Sequence, residues 1–408
     1  MNKKIYILLV LLVLGFAGWY WFEENIGTVN IPSKENIDDT TPEKPVANLP
    51  GFTLPEGFGI SIFAKDVEGA RVLEVDPKGR MLVSQTSVGQ IALLLDENND
   101  NVSDGQKVLA TGLKKPHGMA FECNAVRNPE CHLYVAEADA LSRYSYDAEN
   151  MTLSAKEKLL SLNYSATDRH FTRSLLFLPS PNQDTLLIAV GSSCDVCDEK
   201  HPDQASIISY NIKTGASSKE TYAKGLRNSP FMALHPVSGE VYATEMGRDG
   251  LGDDIPPDEI NMIKKGKNYG WPVCYGKNIH DTDFDKKTYI RNPCMEPFET
   301  ESLIDLQAHS APLGLAFIPE EGWDEDMWYN MLVAYHGSWN RSTPTGYKIA
   351  RIKMNAKGQY LGMEDFITGW LTKDGKKTGR PVDIKIFPGG TMYITDDSSG
   401  VVYRVAKR

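Results

Sequence analysis

The chain has few stretches with helical periodicity, and it has no excess of positive charge. Amphipathic stretches with helical periodicity are short, residues 155–162 being a candidate. The 408 residues include 43 Lys and Arg against 54 Asp and Glu, a formal net charge of −11. Because nucleic acids and anionic membranes bind basic surfaces, this balance argues against a nucleic-acid partner.

The N-terminus has an apolar run that lacks two processing signals. Residues 5–22 carry no charge, follow two lysines and end in Trp19-Tyr20-Trp21. The run has no evident A-x-A cleavage site and no lipobox cysteine, and its length approaches the ~20 residues of a membrane-spanning helix. We expect a signal anchor or signal peptide over 1–22 and an extended linker over 23–50. The remainder is then exported to the periplasmic or extracellular side, anchored to the membrane by the N-terminal helix.

Cysteine is also sparse. An even number of cysteines in an exported chain favours disulfides, although sequence alone does not fix their connectivity. Cys197 is followed by Asp198, so the histidine of a c-type haem site is missing, and a zinc site would need a second close pair of soft ligands. We predict structural disulfides and no attached haem. The six cysteines form three short-range pairs: Cys123/Cys131, Cys194/Cys197 and Cys274/Cys294.

A β-rich unit recurs along most of the chain. Six times an apolar run meets a turn, often rich in Pro and Gly, and a second β-rich run follows, at intervals of 46 to 83 residues. A strand–turn–strand repeat of this size is typical of a propeller blade. We therefore predict an all-β fold, a six-bladed β-propeller over residues 51–408. The six runs begin at Leu73, Met119, Leu175, Met232, Leu315 and Ile384.

Polar strings rich in His, Arg and Asn border most of the predicted blade strands. Loops of a propeller converge at one end of its axis, so these strings can share one site. Arginine offers a fork of donors that matches carboxylates and stacks on π faces. Histidine can act as a base near neutral pH. The strings therefore indicate a site for a planar, polyanionic ligand.

In seven of these strings the chain resembles the glucose/sorbosone dehydrogenases, and most closely their sorbosone- or pyranose-dehydrogenase-like branch. The resemblance covers about residues 50–408. It implies a quinoprotein on a six-bladed propeller that uses pyrroloquinoline quinone (PQQ) and Ca²⁺. The strings are HFTRSLLF, VGSSCDVC, GLRNSP, DEINMIKKGKNYGWP, HSAPLGLAF, HGSWNRS with GYK, and GRPVD.

The resemblance assigns catalytic and cofactor-binding roles. His170 matches the family's general base, which removes the proton of the sugar hydroxyl while hydride passes to the quinone. Arg227 and Asn228 match an Arg-Asn pair at the cofactor carbonyls, where a fixed positive charge stabilises the reduced quinone. Further cofactor-binding candidates are Arg380, His336, Asn340, Arg341, His117 and Arg71.

Two segments are candidate Ca²⁺ sites. In the family, main-chain carbonyls of the segment matching Gly247 and Arg248 hold the ion that bridges to PQQ. Some relatives have proline in place of Arg248. A second segment spaces oxygen side chains at positions 1, 3, 5 and 9 of a loop but lacks the glycine and glutamate of an EF-hand. Its residues are Asp96, Asn98, Asp100 and Asp104, and a polar hairpin tip is the alternative.

The chain departs from some relatives beside the expected base. Some soluble glucose dehydrogenases of this family have an acidic residue there, whereas in this chain Arg169 precedes His170 and Asp168 lies one residue further back. An acidic partner would raise the basicity of the imidazole and fix its tautomer.

The resemblance implies a PQQ- and calcium-dependent dehydrogenase that oxidises the C1 hydroxyl of an aldose or a related sugar or aldehyde hydrate. Electrons would pass to an external acceptor, a cytochrome or a membrane quinone, because the chain has no haem motif. Two alternatives stay open. A calcium-dependent lactonase would hold its metal at the axis with acidic and amide side chains. A non-catalytic propeller that binds a glycan or a protein would carry the His and Arg strings on its outer faces.

Overall fold

The computed structural model describes residues 48–123 and 130–408. These residues form six four-stranded antiparallel sheets. The first three sheets, each in spatial order, are β2 (Ala70–Val75), β3 (Met81–Gln85), β4 (Gln90–Leu95) and β5 (Gly105–Ala110); β6 (Met119–Cys123), β7 (Cys131–Glu137), β8 (Ala140–Asp147) and β9 (Thr152–Ser161); and β10 (Leu175–Phe177), β11 (Thr185–Val190), β12 (Ser206–Asn211) and β13 (Glu220–Lys224).

The other three sheets follow the same plan. They are β14 (Met232–Leu234), β15 (Val241–Glu245), β16 (Asp258–Ile263) and β19 (Ile304–Leu306); β20 (Pro312–Phe317), β21 (Met331–Tyr335), β22 (Lys348–Met354) and β23 (Tyr360–Thr368); and β24 (Pro381–Ile386), β25 (Met392–Asp396), β26 (Val401–Lys407) and β1 (Phe58–Ala64). A hairpin of β17 (Cys274–Tyr275) and β18 (Ile279–His280) is inserted before β19, and two 3₁₀ turns span Ala216–Ser218 and Glu325–Met327.

The first strands of the six sheets contact one another in a closed ring around the axis. The predicted six-bladed propeller is therefore confirmed. Each of the six runs begins on the innermost strand of a blade. Strand β1 completes the last blade by pairing antiparallel with β26, from Phe58 opposite Lys407 to Ala64 opposite Val402. The ring is thus closed by the two ends of the β-rich region.

Both faces of each blade are covered by neighbouring blades, and β7 shows how the sequence meets that demand. Successive side chains of a strand point to opposite faces. Leu133 and Val135 pack in one hydrophobic cluster with residues of β3 and β4, whereas Tyr134 packs on the other side with residues of β11 and β12. Strands buried on both faces have continuous apolar sequence, which explains the runs found in the sequence.

The innermost strands enclose an axial cavity of about 320 Å³. Residues of the first strand of every blade line it, and most of their side chains are apolar, including Met119, Leu176, Leu234, Phe317 and Ile386. We call this space the axial cavity.

One local expectation is wrong. Residues 155–162, considered as a short helix, lie largely in β9, which pairs with β8 from Asp147 opposite Thr152 to Ala140 opposite Ser161. Backbone pairing along that edge outweighs the helical propensity of the Lys, Glu and Leu residues in the segment.

The three predicted disulfides are confirmed: Cys123–Cys131, Cys194–Cys197 and Cys274–Cys294. Residues 1–47, with the predicted anchor and most of the predicted linker, lie outside the described residues. Across residues 48–123 and 130–408, no helix has the length and apolar character needed to cross a membrane.

Candidate active site

A second cavity, of about 280 Å³, lies among segments of the third, fourth and fifth blades. Its lining comes mainly from loops: those that precede β10 and β20 and those that follow β13, β15 and β21. We call it the loop cavity. Charged, amide and aromatic side chains line it together, among them Arg169, His170, Arg227, Asp249, Trp339 and Asn340.

His170 lies in the loop before β10 and is half-buried. Its Nδ1 is 2.9 Å from the hydroxyl Oγ of Ser192 and 3.1 Å from the carbonyl oxygen of the same residue. Burial holds the pKa of His170 well below its ordinary value, and the positive charge of Arg227 lowers it further. The imidazole is therefore neutral around pH 7.

Arg227 follows β13 and is 3% exposed. Its Nε donates to the carbonyl oxygen of Asp195 at 2.9 Å, and its Nη2 donates to the Asp195 carboxylate at 2.6 Å. Its Nη1 donates to the carbonyl oxygen of Met246 at 3.1 Å. These three bonds fix the plane and the position of the guanidinium at the cavity wall.

Two carboxylates and two arginines form a network beside His170. Asp195 and Asp249 both contact Arg227, at 2.6 and 3.8 Å, and Arg169 forms an ion pair with Asp249. Burial raises the pKa of Asp195, but the charge of Arg227 and hydrogen bonds to the carboxylate outweigh burial and lower it. Burial raises the pKa of Asp249. Arg169, which stands where some relatives have an acid, is thus paired with carboxylates from other loops.

Asn228 packs directly behind His170. Its backbone N–H donates to Glu245 at 2.9 Å, and its side-chain Nδ2 contacts the sulfur of Met246 at 3.3 Å. The Asn228 Oδ1 is buried and has no hydrogen-bond partner within the described residues. Gly191 separates Asn228 from His170, and a Cβ there would lie 2.6 Å from both Asn228 Oδ1 and His170 Cβ. Glycine is therefore required at this position.

Gly247 and Arg248 form the turn after β15. The Gly247 N–H donates to the buried carboxylate of Asp258 at 2.9 Å, and a Cβ on Gly247 would lie 2.7 Å from the Pro257 carbonyl oxygen. The side chain of Arg248 forms an ion pair at 2.6 Å with buried Asp281 of the inserted hairpin region. Among described contacts, no hydrogen bond ends on the Gly247 or Arg248 carbonyl oxygens.

His336, Arg71 and Arg380 form a separate cluster. Asp397 accepts from Arg71 at 2.8 Å and lies 2.8 Å from His336 Nε2. Burial lowers the pKa of His336, although the Asp397 carboxylate opposes that effect. Arg380 donates to the carbonyl oxygen of His336 at 3.0 Å and lies over the ring of Tyr347. Two of the three residues in this cluster are thus paired to one carboxylate, and Arg380 donates to the main chain of the His336 loop.

The side chains of Asn340 and Arg341 contact different loops at the rim of the loop cavity. Asn340 lines the loop cavity, and its Nδ2 donates to Asp249 at 2.6 Å. Arg341 is directed to a neighbouring loop, where it contacts the carbonyl oxygen of Asp253 and pairs with the Asp254 carboxylate at 3.1 Å. Trp339, which directly precedes Asn340 in the sequence, lines the cavity and is 67% exposed.

His117 is fully buried and does not line the loop cavity. Its ring lies 5.5 Å from that of Phe231 and 6.1 Å from that of Phe171, and neither ring nitrogen has a hydrogen-bond partner in the described structure. Burial, with the nearby charges of Arg71 and Arg173, holds the pKa of His117 well below its ordinary value. This placement is that of a neutral packing residue.

The Asp96–Asp104 loop folds on itself at an exposed hairpin tip. The Asp96 carboxylate accepts from the N–H groups of Asp100 and Asn101, each at 3.1 Å, and Asp104 accepts from Glu97 N–H at 2.7 Å. Over the described residues, the His, Cys, Asp and Glu ligand atoms that meet within 4.8 Å in a group of three are those of Cys194, Cys197 and Glu199. The two sulfur atoms of that group form the Cys194–Cys197 disulfide.

Ser192, Asp195, Asp249 and Trp339 were missed as site residues. Ser192 and Asp195 lie in VGSSCDVC, and Trp339 lies in HGSWNRS, so the strings that carried the resemblance already contained them. Asp249 follows Arg248 in a loop rich in Asp and Gly, where an acidic residue has no distinguishing pattern. Their roles depend on contacts between blades, which a single sequence does not display.

Comparisons with known proteins identify the family of the chain. The TrAA12-like family matches residues 52–408. An uncharacterized protein of Borreliella burgdorferi is 32% identical over 365 residues, which cover 86% of this chain and 90% of that protein. The pyrroloquinoline quinone-dependent sugar dehydrogenase of Hypocrea jecorina is 24% identical over 256 residues, which cover 55% of this chain and 57% of that protein.

A solved structure of the Trichoderma reesei carbohydrate-active enzymes family AA12, with iodide, superposes with a TM-score of 0.73 at 20% identity. The match covers 90% of this chain and 100% of the chain in that structure. At this identity the similarity supports the fold alone. The family match spans nearly all of the described residues, and the chain belongs to the TrAA12-like family.

Proposed function

We propose that this chain is an exported PQQ-dependent sugar dehydrogenase that oxidises the C1 hydroxyl of an aldose or a related sugar or aldehyde hydrate. The observation that carries the proposal is the presence, in one cavity, of a neutral histidine, His170, beside a fixed cation, Arg227. Membership of the TrAA12-like family and the name of the Hypocrea jecorina relative support it.

The residues of the loop cavity fit an anionic, planar cofactor such as PQQ. Arg169, Arg227 and Asn340 bring N–H donors to its wall, and such donors bind carboxylates and quinone oxygens. The buried Asn228 Oδ1, which has no hydrogen-bond partner within the described residues, is a further polar atom beside His170. When bound, PQQ supplies the acceptor for the hydride that leaves the sugar carbon.

His170 would accept the proton of the substrate hydroxyl at Nε2. The contacts to Ser192 occupy Nδ1, and no described residue forms a hydrogen bond with Nε2. A histidine with a lowered pKa is unprotonated at neutral pH and is ready to accept. Taking this proton increases the electron density on the carbon that loses hydride.

Arg227 would stabilise negative charge that develops at the acceptor during the reaction. Its guanidinium is held by Asp195 and by the Met246 carbonyl before any ligand binds. A charge that is fixed in advance needs no reorganisation during the reaction, which is the basis of electrostatic catalysis. The network with Asp249 orients the same group from a second side.

Calcium is a further part of the proposal. The carbonyl oxygens of Gly247 and Arg248 would contribute to a Ca²⁺ site next to the cofactor, since Ca²⁺ prefers oxygen ligands and tolerates flexible geometry. The ion pair of Arg248 with Asp281 supports this arrangement because it neutralises the guanidinium near the turn. The Asp96, Asn98, Asp100 and Asp104 loop stays a predicted second site.

The proposal also includes the route of the electrons. They would pass to an external acceptor, a cytochrome or a membrane quinone, because no haem motif is present in the sequence. The predicted N-terminal anchor would keep the propeller close to such an acceptor on the exported side of the membrane.

The test is reconstitution of residues 50–408, the part that the propeller comprises, with PQQ and Ca²⁺. Dye reduction is measured with a panel of aldoses for the wild type and for His170→Gln. We expect PQQ-dependent turnover that falls by about 10² or more in the variant, as for loss of a general base. PQQ-dependent turnover that is equal in both proteins would exclude His170 as the base, and absence of PQQ binding would overturn the proposal.

A further inference from the structure

The hydrogen bonds of Ser192 determine which nitrogen of His170 carries the proton. The Ser192 hydroxyl donates to the carbonyl oxygen of Cys194 at 2.6 Å, so its one proton is engaged. The same oxygen lies 2.9 Å from His170 Nδ1 and must accept there. The Ser192 carbonyl, 3.1 Å from Nδ1, also can only accept. Both contacts require a proton on Nδ1, which leaves the lone pair on Nε2.

The Cys194–Cys197 disulfide closes the turn that provides these contacts. The two cysteines are three residues apart and lie immediately after Ser192 and Ser193. Ser192 is fully buried, and its N–H donates to the carbonyl oxygen of Arg227 at 2.7 Å. The disulfide thus restrains the Cys194 carbonyl, the group that orients the Ser192 hydroxyl.

Asp195 lies inside the same closed turn and holds the other main residue of the site. It binds Arg227 through its main-chain carbonyl and through its carboxylate. It also accepts from the Asp249 N–H at 3.1 Å. One four-residue turn therefore contacts both Arg227 and, through Ser192, His170.

Residues on either side tie the turn to the remaining loops. Ser193 donates through N–H and hydroxyl to the two oxygens of Glu199, each at 2.7 Å. The carbonyl oxygen of Ser193 accepts from the Arg169 N–H at 2.8 Å. The residue before His170 is therefore held by the same segment.

We propose that Ser192 and the Cys194–Cys197 turn are a positioning unit that sets the Nδ1–H tautomer of His170 and the orientation of Arg227. The unit replaces the acidic partner that some relatives place beside the base, and as a positioning role it rests on the proposed function. Ser192 does not touch the substrate in this account; it acts through His170.

The first experiment measures the tautomer without cofactor or substrate. Histidine labelled with ¹⁵N is introduced into the full chain, and the His170 signals are assigned by their loss in His170→Gln. Long-range ¹H–¹⁵N correlations at pH 7.5 then report which nitrogen is protonated. We expect the Nδ1–H form in the wild type and a ratio of Nε2–H to Nδ1–H that rises about fivefold in Ser192→Ala, as for loss of one of two hydrogen bonds.

Two controls separate this effect from general disturbance. Ser174→Ala makes the same change at another buried serine, whose hydroxyl donates to the Pro230 carbonyl, and should leave the His170 tautomer unchanged. Cys194→Ala/Cys197→Ala should shift the tautomer in the same direction as Ser192→Ala. Cys123→Ala/Cys131→Ala, which removes the disulfide between β6 and β7, should not.

The outcomes distinguish this inference from the proposed function. An unchanged tautomer in Ser192→Ala, or an Nε2–H form in the wild type, would overturn the positioning unit even if PQQ-dependent turnover is observed. A shifted tautomer in a protein that binds no PQQ would support the hydrogen-bond relay and overturn the proposed function alone. If Ser192→Ala does not fold, the two double-cysteine variants decide the question by the same measurement.

Discussion

The axial cavity and the loop cavity are similar in size, about 320 and 280 Å³, but differ in chemistry. Innermost strands line the axial cavity, so the pairing register fixes its side chains and most are apolar. Loops of three blades form most of the loop cavity, where arginines, carboxylates and a histidine meet. The comparison shows that the propeller strands set positions while the segments between them provide reactive groups.

Size alone would favour the axial cavity as the active site. The axial cavity is slightly larger, yet its titratable lining is limited to groups such as Asp383 and the ion pair of Glu74 with Lys385. The loop cavity brings a low-pKa histidine within reach of fixed cations. We therefore assign the proposed transfer of a proton and a hydride to the loop cavity.

The largest expected effect comes from removing the fixed cation of the loop cavity. Arg227→Met should weaken PQQ binding by about 10²-fold, since the charge-assisted hydrogen bonds of a buried arginine are lost and Asp195 loses the cation nearest to it. Equilibrium titration of PQQ by fluorescence quenching measures the change. Arg143→Met, at an exposed ion pair on β8, is the matched control and should bind PQQ normally; equal affinity in both variants would contradict the account.

A substitution in the axial cavity should change the free energy of unfolding of the protein. Burial raises the pKa of Asp383 to about 7. The folded protein therefore holds this proton between pH 4 and 7 while the unfolded chain releases it, so this group makes stability fall as pH rises through that window. In Asp383→Asn that contribution disappears, a difference on the order of 4 kcal/mol between pH 4 and 8.

Urea unfolding at several pH values checks this prediction. Asp365→Asn, on an exposed strand edge, controls for the change from acid to amide. A wild-type stability that rises relative to Asp383→Asn between pH 4 and 7 would have the opposite sign and would contradict the assignment.

Alanine substitutions at two glycines, one in each region, make the same steric change and so test the comparison. A Cβ at Gly191 would lie 2.6 Å from His170 Cβ and Asn228 Oδ1, and one at Gly314 would lie 2.6 Å from the Val382 carbonyl oxygen near the axis. Both alanine variants should lower the melting temperature. Gly191→Ala should also reduce kcat/KM about tenfold, because the base is displaced. A similar loss of activity in Gly314→Ala would remove the distinction between the two regions.

The smallest effect is expected from filling the axial cavity. Ala233→Leu adds apolar volume to a β14 residue that lines it. Turnover and PQQ affinity should stay within about twofold of the wild type, since no group of the loop cavity moves; steady-state kinetics on the purified variant measures this. A tenfold loss of turnover in a protein of normal stability would show that the axial cavity takes part in the reaction.

The repeat in the sequence was sufficient to predict the six blades because five blades are built from strands that follow one another along the chain and the sixth takes only β1 from elsewhere. The apolar runs at Leu73 and Ile384 mark innermost strands whatever their distant partners are. The segment at 155–162 was misjudged because an edge strand is held by its partner β8 and not by its own residue preferences.

The candidate site was predictable only in part. Resemblance located His170 and Arg227, and the structure places both at the loop cavity. Arg341 and Arg380 donate to carbonyl groups of nearby loops, and their role at the cofactor stays a prediction. Ser192 escaped notice because its importance depends on the distance to one imidazole nitrogen, which requires the relative placement of two loops.

The most direct test of the central claim is an anaerobic titration of the PQQ-loaded, Ca²⁺-supplemented domain with an aldose. Absorbance follows the bound quinone, and the oxidised sugar is quantified in the same sample. The account predicts that one equivalent of sugar reduces one equivalent of PQQ and yields one equivalent of lactone, and that His170→Gln binds PQQ but reacts at least about 10²-fold more slowly. Bound PQQ that no aldose reduces would contradict it.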